Sequence, residues 1–168
     1  MFFELRHGTR VRIRPIRPGD KTMLSAGLRF LSDESIRKRF LAAKPRFTST
    51  ELRYLTEVDH RDHIALVAVH ESHPDLLVGV ARCVRLQDAP DTAEMAIVIG
   101  DPWQDQGLGR ALAEALAERA AAAGIRNFSA TMLADNRPAR SLMRTISRRL
   151  DEGAVSGGVR EVVAELAV

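Results

Sequence analysis

Polar and apolar positions change period several times along the chain. Arg10-Val-Arg-Ile-Arg-Pro-Ile16 alternates, which is the pattern of a half-buried strand. Pro15 has no N–H to donate, so this strand lies near a sheet edge or ends there. Pro18-Gly-Asp20 is turn chemistry, and Asp20 can cap a helix through about Leu31. Ser32-Asp-Glu-Ser-Ile starts a second helix, with Ile36, Phe40 and Leu41 on one face. Residues 42–47 read as a loop, and residues 50–58 as a third short helix.

The middle of the chain is rich in β-formers. Residues 64–70, 77–86 and 92–99 form three such runs, separated by turn residues at 72–75 and 87–91. Such short links favour an antiparallel meander. Leu108, Ala111, Leu112, Ala115, Leu116 and Arg119 recur at helical spacing, and Gly124 stops that helix. Residues 125–133 return to strand. Strand, crossover helix and strand make a βαβ unit with parallel strands. A last helix is expected over residues 136–149, opened by Asp135 or Asn136, with Pro138 tolerated in its first turn. One or two further strands fall in residues 155–168, turned by Gly157-Gly158. No repeat or linker interrupts the 168 residues, so a single domain over 1–168 with a mixed α/β (α+β) sheet is expected.

Composition narrows the function. Hydrophobic residues are 45% and charged residues 28%, an ordinary globular balance. No apolar run approaches a membrane span, and the first residues lack a signal-peptide pattern. One cysteine, Cys83, allows no intrachain disulfide, which fits a reducing cytoplasm and a small buried hydrophobe. A net charge of +3 with 5% aromatics argues against a nucleic-acid surface. No metal-ligand spacing is present.

The strand over residues 92–99 carries one acid, Glu94, and ends in Gln104-Asp-Gln-Gly-Leu-Gly109 at a helix start. Bare N–H groups at a positive helix N-terminus are suited to a diphosphate. No lysine follows for a nucleoside-triphosphate loop, and Leu112 stands where the dinucleotide fingerprint needs its third glycine. A tight turn before a helix would use the same glycines.

Here the chain resembles the GNAT superfamily of N-acetyltransferases. Members carry Arg/Gln-x-x-Gly-x-Gly/Ala after their fourth core strand, which Gln104–Gly109 matches. Many also carry Asn-x-x-Ala/Ser-x-x-Leu-Tyr in the helix after the fifth, which Asn136-Arg-Pro-Ala139-Arg-Ser-Leu142-Met143 matches except at the end. The style is also similar to free-standing relatives of the acetyltransferase domain of bacterial protein lysine acetylases.

The resemblance implies a mainly antiparallel sheet flanked by helices, with acetyl-CoA as co-substrate at the βαβ unit. Its pyrophosphate would meet the amides of Gln106, Gly107, Leu108, Gly109 and Arg110, and its pantetheine arm the backbone of Ile97, Val98 and Ile99. Arg110 would add charge or simply be a solvated helix residue. Asn136 would contact the arm or merely cap its helix. Glu94 would be the general base for amine attack, its pKa raised by apolar neighbours, or else a solvent-facing or salt-bridged residue at a strand start. Glu57, Asp59, His60 and His63 form a second polar cluster, from which His60 or His63 could serve as base. Met143 stands where many members have a tyrosine that protonates the CoA thiolate, and the only tyrosine is Tyr54. A water, Tyr54, or no donor at all would then serve, or catalysis is impaired.

The expected activity is acetyl transfer to the primary amine of a small molecule or a protein lysine. The alternatives are a catalytically weak or inactive CoA-binding sensor, and an interaction module without a ligand. A cytoplasmic monomer or homodimer without nucleic-acid or membrane partners is expected. Acids at Glu34, Glu51, Glu57 and Asp59 would suit a cationic acceptor. Basic residues at Arg12, Arg14 and 37–39 would suit an acidic one.

Overall fold

The computed structural model describes residues 1–44 and 46–168. Its strands are β1 (Phe2–Glu4), β2 (Arg10–Pro15), β3 (His63–His70), β4 (Leu77–Arg85), β5 (Thr92–Ile99), β6 (Asn127–Leu133), β7 (Ser147–Glu152) and β8 (Val159–Leu166). Its helices are α1 (Lys21–Gly27), α2 (Asp33–Phe40), α3 (Ser49–Thr56), α4 (Leu108–Ala122) and α5 (Arg137–Ile146). The strands form one mixed sheet in the order β1-β2-β3-β4-β5-β6-β8-β7. Every neighbouring pair is antiparallel except β5–β6, the pair joined by crossover helix α4. Among the described residues no helix is long and apolar enough to cross a membrane.

Both sheet faces are covered, which is why β3 and β4 read as nearly continuous apolar runs. One face of β3, β4 and β5 presents Ile64, Leu66, Val78, Cys83 and Met95 to Leu108, Leu112 and Leu116 of α4 and to Met143 and Ile146 of α5. The other presents Ala65, Val67, Val69 and Val80 to Met23 and Leu24 of α1 and to Leu52 and Leu55 around α3. Gly79 lets α4 approach closely: a Cβ there would lie 2.7 Å from Ile99 Cδ1 and 3.2 Å from Leu112 Cδ1. Burial pushes the Cys83 thiol up to about 12, which keeps it protonated and inert.

Four features differ from the pattern-based expectation. Residues 2–4 are a strand because β2 supplies a partner, Phe2 facing Arg12. This covers the start of β2, and Pro15 marks the end of the strand rather than an edge. Asp20 does not cap α1 with its side chain. Its carboxylate instead takes a two-pronged bond from Arg14 (2.7 and 2.8 Å) and one from the Arg17 N–H (2.8 Å). Leu41 leaves the α2 face because it adopts a left-handed cap with φ 57°. Finally, α5 stops at Ile146, and residues 147–149 begin β7. Their composition favours helix over strand, but pairing with β8, from Ser147 opposite Leu166, outweighs that preference. The segment after residue 154 therefore holds one strand, β8, and Gly157 and Gly158 make its leading turn at positive φ.

Leu112 is fully buried between α4 and the sheet. Leu112→Ala should destabilise the fold by about 2–5 kcal/mol, read as a lower urea midpoint at unchanged slope.

Candidate active site

The pairing of β5 with β6 is short. Thr92, Ala93 and Glu94 face Asn127, Phe128 and Ser129, and there the ladder ends. Strand β6 continues with β8 along its whole length instead, from Asn127 opposite Glu165 to Leu133 opposite Val159. Past Glu94, then, the edge of β5 has no strand partner on the β6 side. A cleft of about 480 Å³ opens there, its walls including Met95 and Ile97 of β5, Thr131 of β6, and Leu142 of α5.

The loop between β5 and α4 closes one end of the cleft. Gln104 fixes it, donating from Nε2 to Ile99 O (3.0 Å) and to Ser35 Oγ of α2 (3.2 Å). Gln106 turns inward and donates to Pro102 O at 3.2 Å, so it braces the loop from behind. Its buried Oε1 has no partner among the described residues. Gly107 sits at φ 88°, a backbone state that favours glycine, and no side chain caps α4. The first N–H groups of α4, at Leu108, Gly109 and Arg110, thus lack internal acceptors at the positive end of a 15-residue helix. Gly109 and Arg110 line the cleft, while Leu108 is buried below it. Arg110 is itself engaged with Glu114 one turn on, at 2.7 Å on the exposed side.

The opposite wall comes from the start of α5. Asn136 is 8% exposed, and its Oδ1 accepts the Ala139 N–H at 3.2 Å, so it caps the helix. It also lines the cleft, so the capping role and a contact with a ligand are compatible. Met143 is buried and completes an apolar stretch with Ala139 and Leu142.

Glu94 is the last β5 residue paired with β6 and directly precedes Met95, where the cleft wall begins. By strand alternation and register it shares a face with Ala96, Val98 and, across on β4, Val84 and Arg82. The apolar enclosure expected around it is absent: Glu94 is exposed, and its charge acts on Arg39 at the end of α2. Val98 and Ile99 line the cleft with Ile97, so all three expected backbone positions border it.

The second polar cluster resolves into loop structure. Asp59 Oδ1 accepts from the N–H groups of Arg61, Asp62 and His63, and those of His63 and Arg61 hold its carboxyl below the usual range. Glu57 pairs with Lys21 at 2.7 Å. His60 is exposed with φ 57°. His63 Nε2 lies 3.0 Å from Arg82 Nη1, so its lone pair faces a guanidinium donor. Burial, reinforced by the Arg82 charge, brings the His63 pKa down to about 4. Tyr54 packs against His63 with ring centroids 5.0 Å apart and the rings tilted by 44°, and it is not part of the cleft wall.

Arg39 entered the pattern-based reading only within the basic run at 37–39, and Arg82 escaped it. Arg39 lines the cleft, and Arg82 is 6% exposed on β4 opposite Ala96. A signal for Arg82 existed: it is a lone charge in Val80-Ala-Arg-Cys-Val84, the same kind of break that drew attention to Glu94. Among the described residues no group of three His, Cys, Asp or Glu side chains comes together to hold a metal ion.

Comparison with known proteins agrees with this architecture. Residues 32–146 match the model of the acetyltransferase (GNAT) family. The chain is 34% identical over 140 residues to the acetyltransferase Pat of Mycolicibacterium smegmatis, covering 83% of this chain and 41% of that protein. Among solved structures, the GNAT domain of S. lividans PAT superposes with a TM-score of 0.87 at 28% identity, covering 99% of this chain and 96% of that one. A cAMP-binding acyltransferase from Mycobacterium smegmatis does so with a TM-score of 0.68 at 28% identity, covering 100% of this chain and 47% of that one. The chain thus spans less than half the length of the Mycolicibacterium relative. With the splayed strand pair and the uncapped glycine loop before α4, the match establishes that this chain belongs to the acetyltransferase (GNAT) family.

Proposed function

We propose that this chain, acting as one domain, transfers an acetyl group from acetyl-CoA to a primary amine, by direct attack in a ternary complex with Glu94 as general base. The observation that carries the reading is the uncapped N-terminus of α4 opening on a cleft bounded by the unpaired edge of β5. Acetyl-CoA supplies an activated thioester carbonyl. Its diphosphate suits the amides from Gln106 to Arg110, because Gly107 and Gly109 keep side chains out of the approach. The edge of β5 at residues 97–99 offers N–H and C=O groups to the amide-bearing arm, as an added strand would. Asn136, Ala139 and Leu142 close the other side.

An ammonium has no lone pair, so the acceptor must lose a proton before attack. Glu94 is suited to take it, directly or through a water, because it is exposed where the cleft begins. His63 is not, since its Nε2 faces Arg82. Among the described residues no tyrosine borders the cleft to protonate the departing thiolate. A thiol of ordinary pKa near 8.5 is a good enough leaving group to depart without one. Met143 instead supplies packing against the arm. The same residue favours a second reading, a CoA-binding sensor without chemistry. A thiol-release assay over small amines, amino acids and lysine peptides separates the two. Turnover that disappears in Glu94→Gln supports transfer, whereas saturable acetyl-CoA binding without turnover supports the sensor.

Glu94→Gln should lower kcat about 100- to 10,000-fold while leaving acetyl-CoA affinity, measured by calorimetry, unchanged. Gly107→Ala forces a Cβ into a left-handed position and should weaken acetyl-CoA binding about tenfold, read by the same titration.

His63 adds a pH signature. Its folded pKa of about 4 lies below the ordinary 6.5, so the unfolded chain binds more protons between those values. Stability from the neutral ring is complete above pH 6.5 and declines as pH falls toward 4. Urea midpoints across this window should show that slope, and His63→Gln should flatten it.

A further inference from the structure

The acids that the sequence offers to a cationic acceptor are committed elsewhere. Glu34 pairs with Lys38, Glu51 with Lys44, Glu57 with Lys21, and Asp59 accepts three backbone N–H groups. On the basic side, Arg14 is held by Asp20. Two arginines beside the cleft are not balanced in this way. Arg82 is 6% exposed and uses Nη1 on Leu55 O (3.1 Å) and His63 Nε2 (3.0 Å), both neutral partners. Its Nε and Nη2 make no hydrogen bond among the described residues. Arg39 lies with its guanidinium 4.8 Å from the centre of the Phe40 ring and lines the cleft.

Arg39 and Ala96, the β5 partner of Arg82, line the same cleft. Burial, and next the charge of Arg39, bring the Arg82 pKa down to about 10. Burial also lowers that of Arg39, against the opposing pull of Glu94. Two guanidinium groups drawn out of water beside each other are unfavourable unless an anion joins them. The charge of Glu94 reaches Arg39, but a single carboxylate cannot neutralise both cations.

We propose that Arg39 and Arg82 form an anion subsite on the acceptor side of the cleft, so that the amine acceptor carries a carboxylate of its own. This rests on the acetyl-transfer reading given above. Arg39 contacts the carboxylate with its planar fork, and Arg82 adds charge from the sheet beneath. Glu94 receives the amine end. The placement follows from the sheet: Arg82 faces Ala96, two residues along β5 from Glu94 and on the same face. An acceptor with an amine and a carboxylate meets one negative and two positive groups, and its carboxylate adds the negative charge that Glu94 alone does not supply.

The test compares the wild type with Arg39→Gln in a thiol-release assay with acetyl-CoA and matched acceptors. One set pairs free α-amino acids with their carboxamides. The other pairs lysine peptides bearing Glu beside the lysine with the same peptides bearing Gln. The carboxylate member of each reactive pair should be favoured about tenfold in kcat/KM, mainly through KM, and the preference should fall below about twofold in Arg39→Gln. The readout is the preference within each pair rather than the absolute rate, because Arg39 also acts on Glu94, and Arg39→Lys should recover part of that preference. Whichever set reacts identifies a free amino acid or a peptide side chain as the source of the carboxylate. Equal use of both members, or a preference that survives Arg39→Gln, overturns the subsite. If no acceptor turns over, the transfer reading has failed separately, and calorimetry of the same acceptors into CoA-loaded protein decides the subsite. Carboxylate-dependent binding lost in Arg39→Gln supports it, and equal or absent binding overturns it.

Discussion

The parting of β5 from β6 after Glu94 and Ser129 is the constraint on which the site depends. A buried strand edge cannot leave its N–H and C=O groups unpaired at no cost. Strand β6 meets the requirement by pairing fully with β8, and β5 is then left with an open edge beyond residue 94. Helix α4 packs across β3, β4 and β5 on one face, while α2 reaches β5 and β6 on the other. With both faces covered, the opening between the strands becomes a bounded cleft rather than a break in the sheet. The uncapped end of α4 and the start of α5 are then aimed at the same volume.

The two faces of β5 divide the chemistry. Met95 belongs to the larger core under α4 and α5, where packing is apolar. Glu94, Ala96 and Val98 point toward the N-terminal helices, a face that also carries Arg82 and His63. The alternation of a single strand therefore separates an apolar face from one that carries charge. Strand β4 adds to the contrast by placing inert Cys83 on one face and Arg82 on the other. Buried arginines are unfavourable in a core unless something offsets the lost hydration, and Leu55 O and His63 do so only in part for Arg82.

Much of this was legible in the chain. The meander, the parallel crossover, the α4 stop at Gly124 and the cap at Asn136 follow from local periodicity and turn chemistry, which act over a few residues. Gly107 marked the loop because its left-handed backbone, at φ 88°, favours glycine. The misses have a common cause. Strand β1 and the first residues of β7 exist through distant partners, β2 and β8. Asp20 gave up its capping role to a bidentate arginine, although its position before α1 suits a cap. Glu94 was expected to be enclosed because Ala96 and Val98 share its face, but its side chain is exposed there, and Arg39 comes from a helix far away in sequence.

Sequence by itself determined the central meander, the α4 crossover and the glycine loop before α4. These depend on backbone preference and on spacing along one segment. Tertiary structure decided where β5 opens, which acids are already neutralised, and that Arg82 shares a sheet face with Glu94 while Arg39 of α2 lines the cleft. Those outcomes depend on the competition of strands for partners and of charges for counter-ions across the whole fold, and no local pattern encodes the result of either competition.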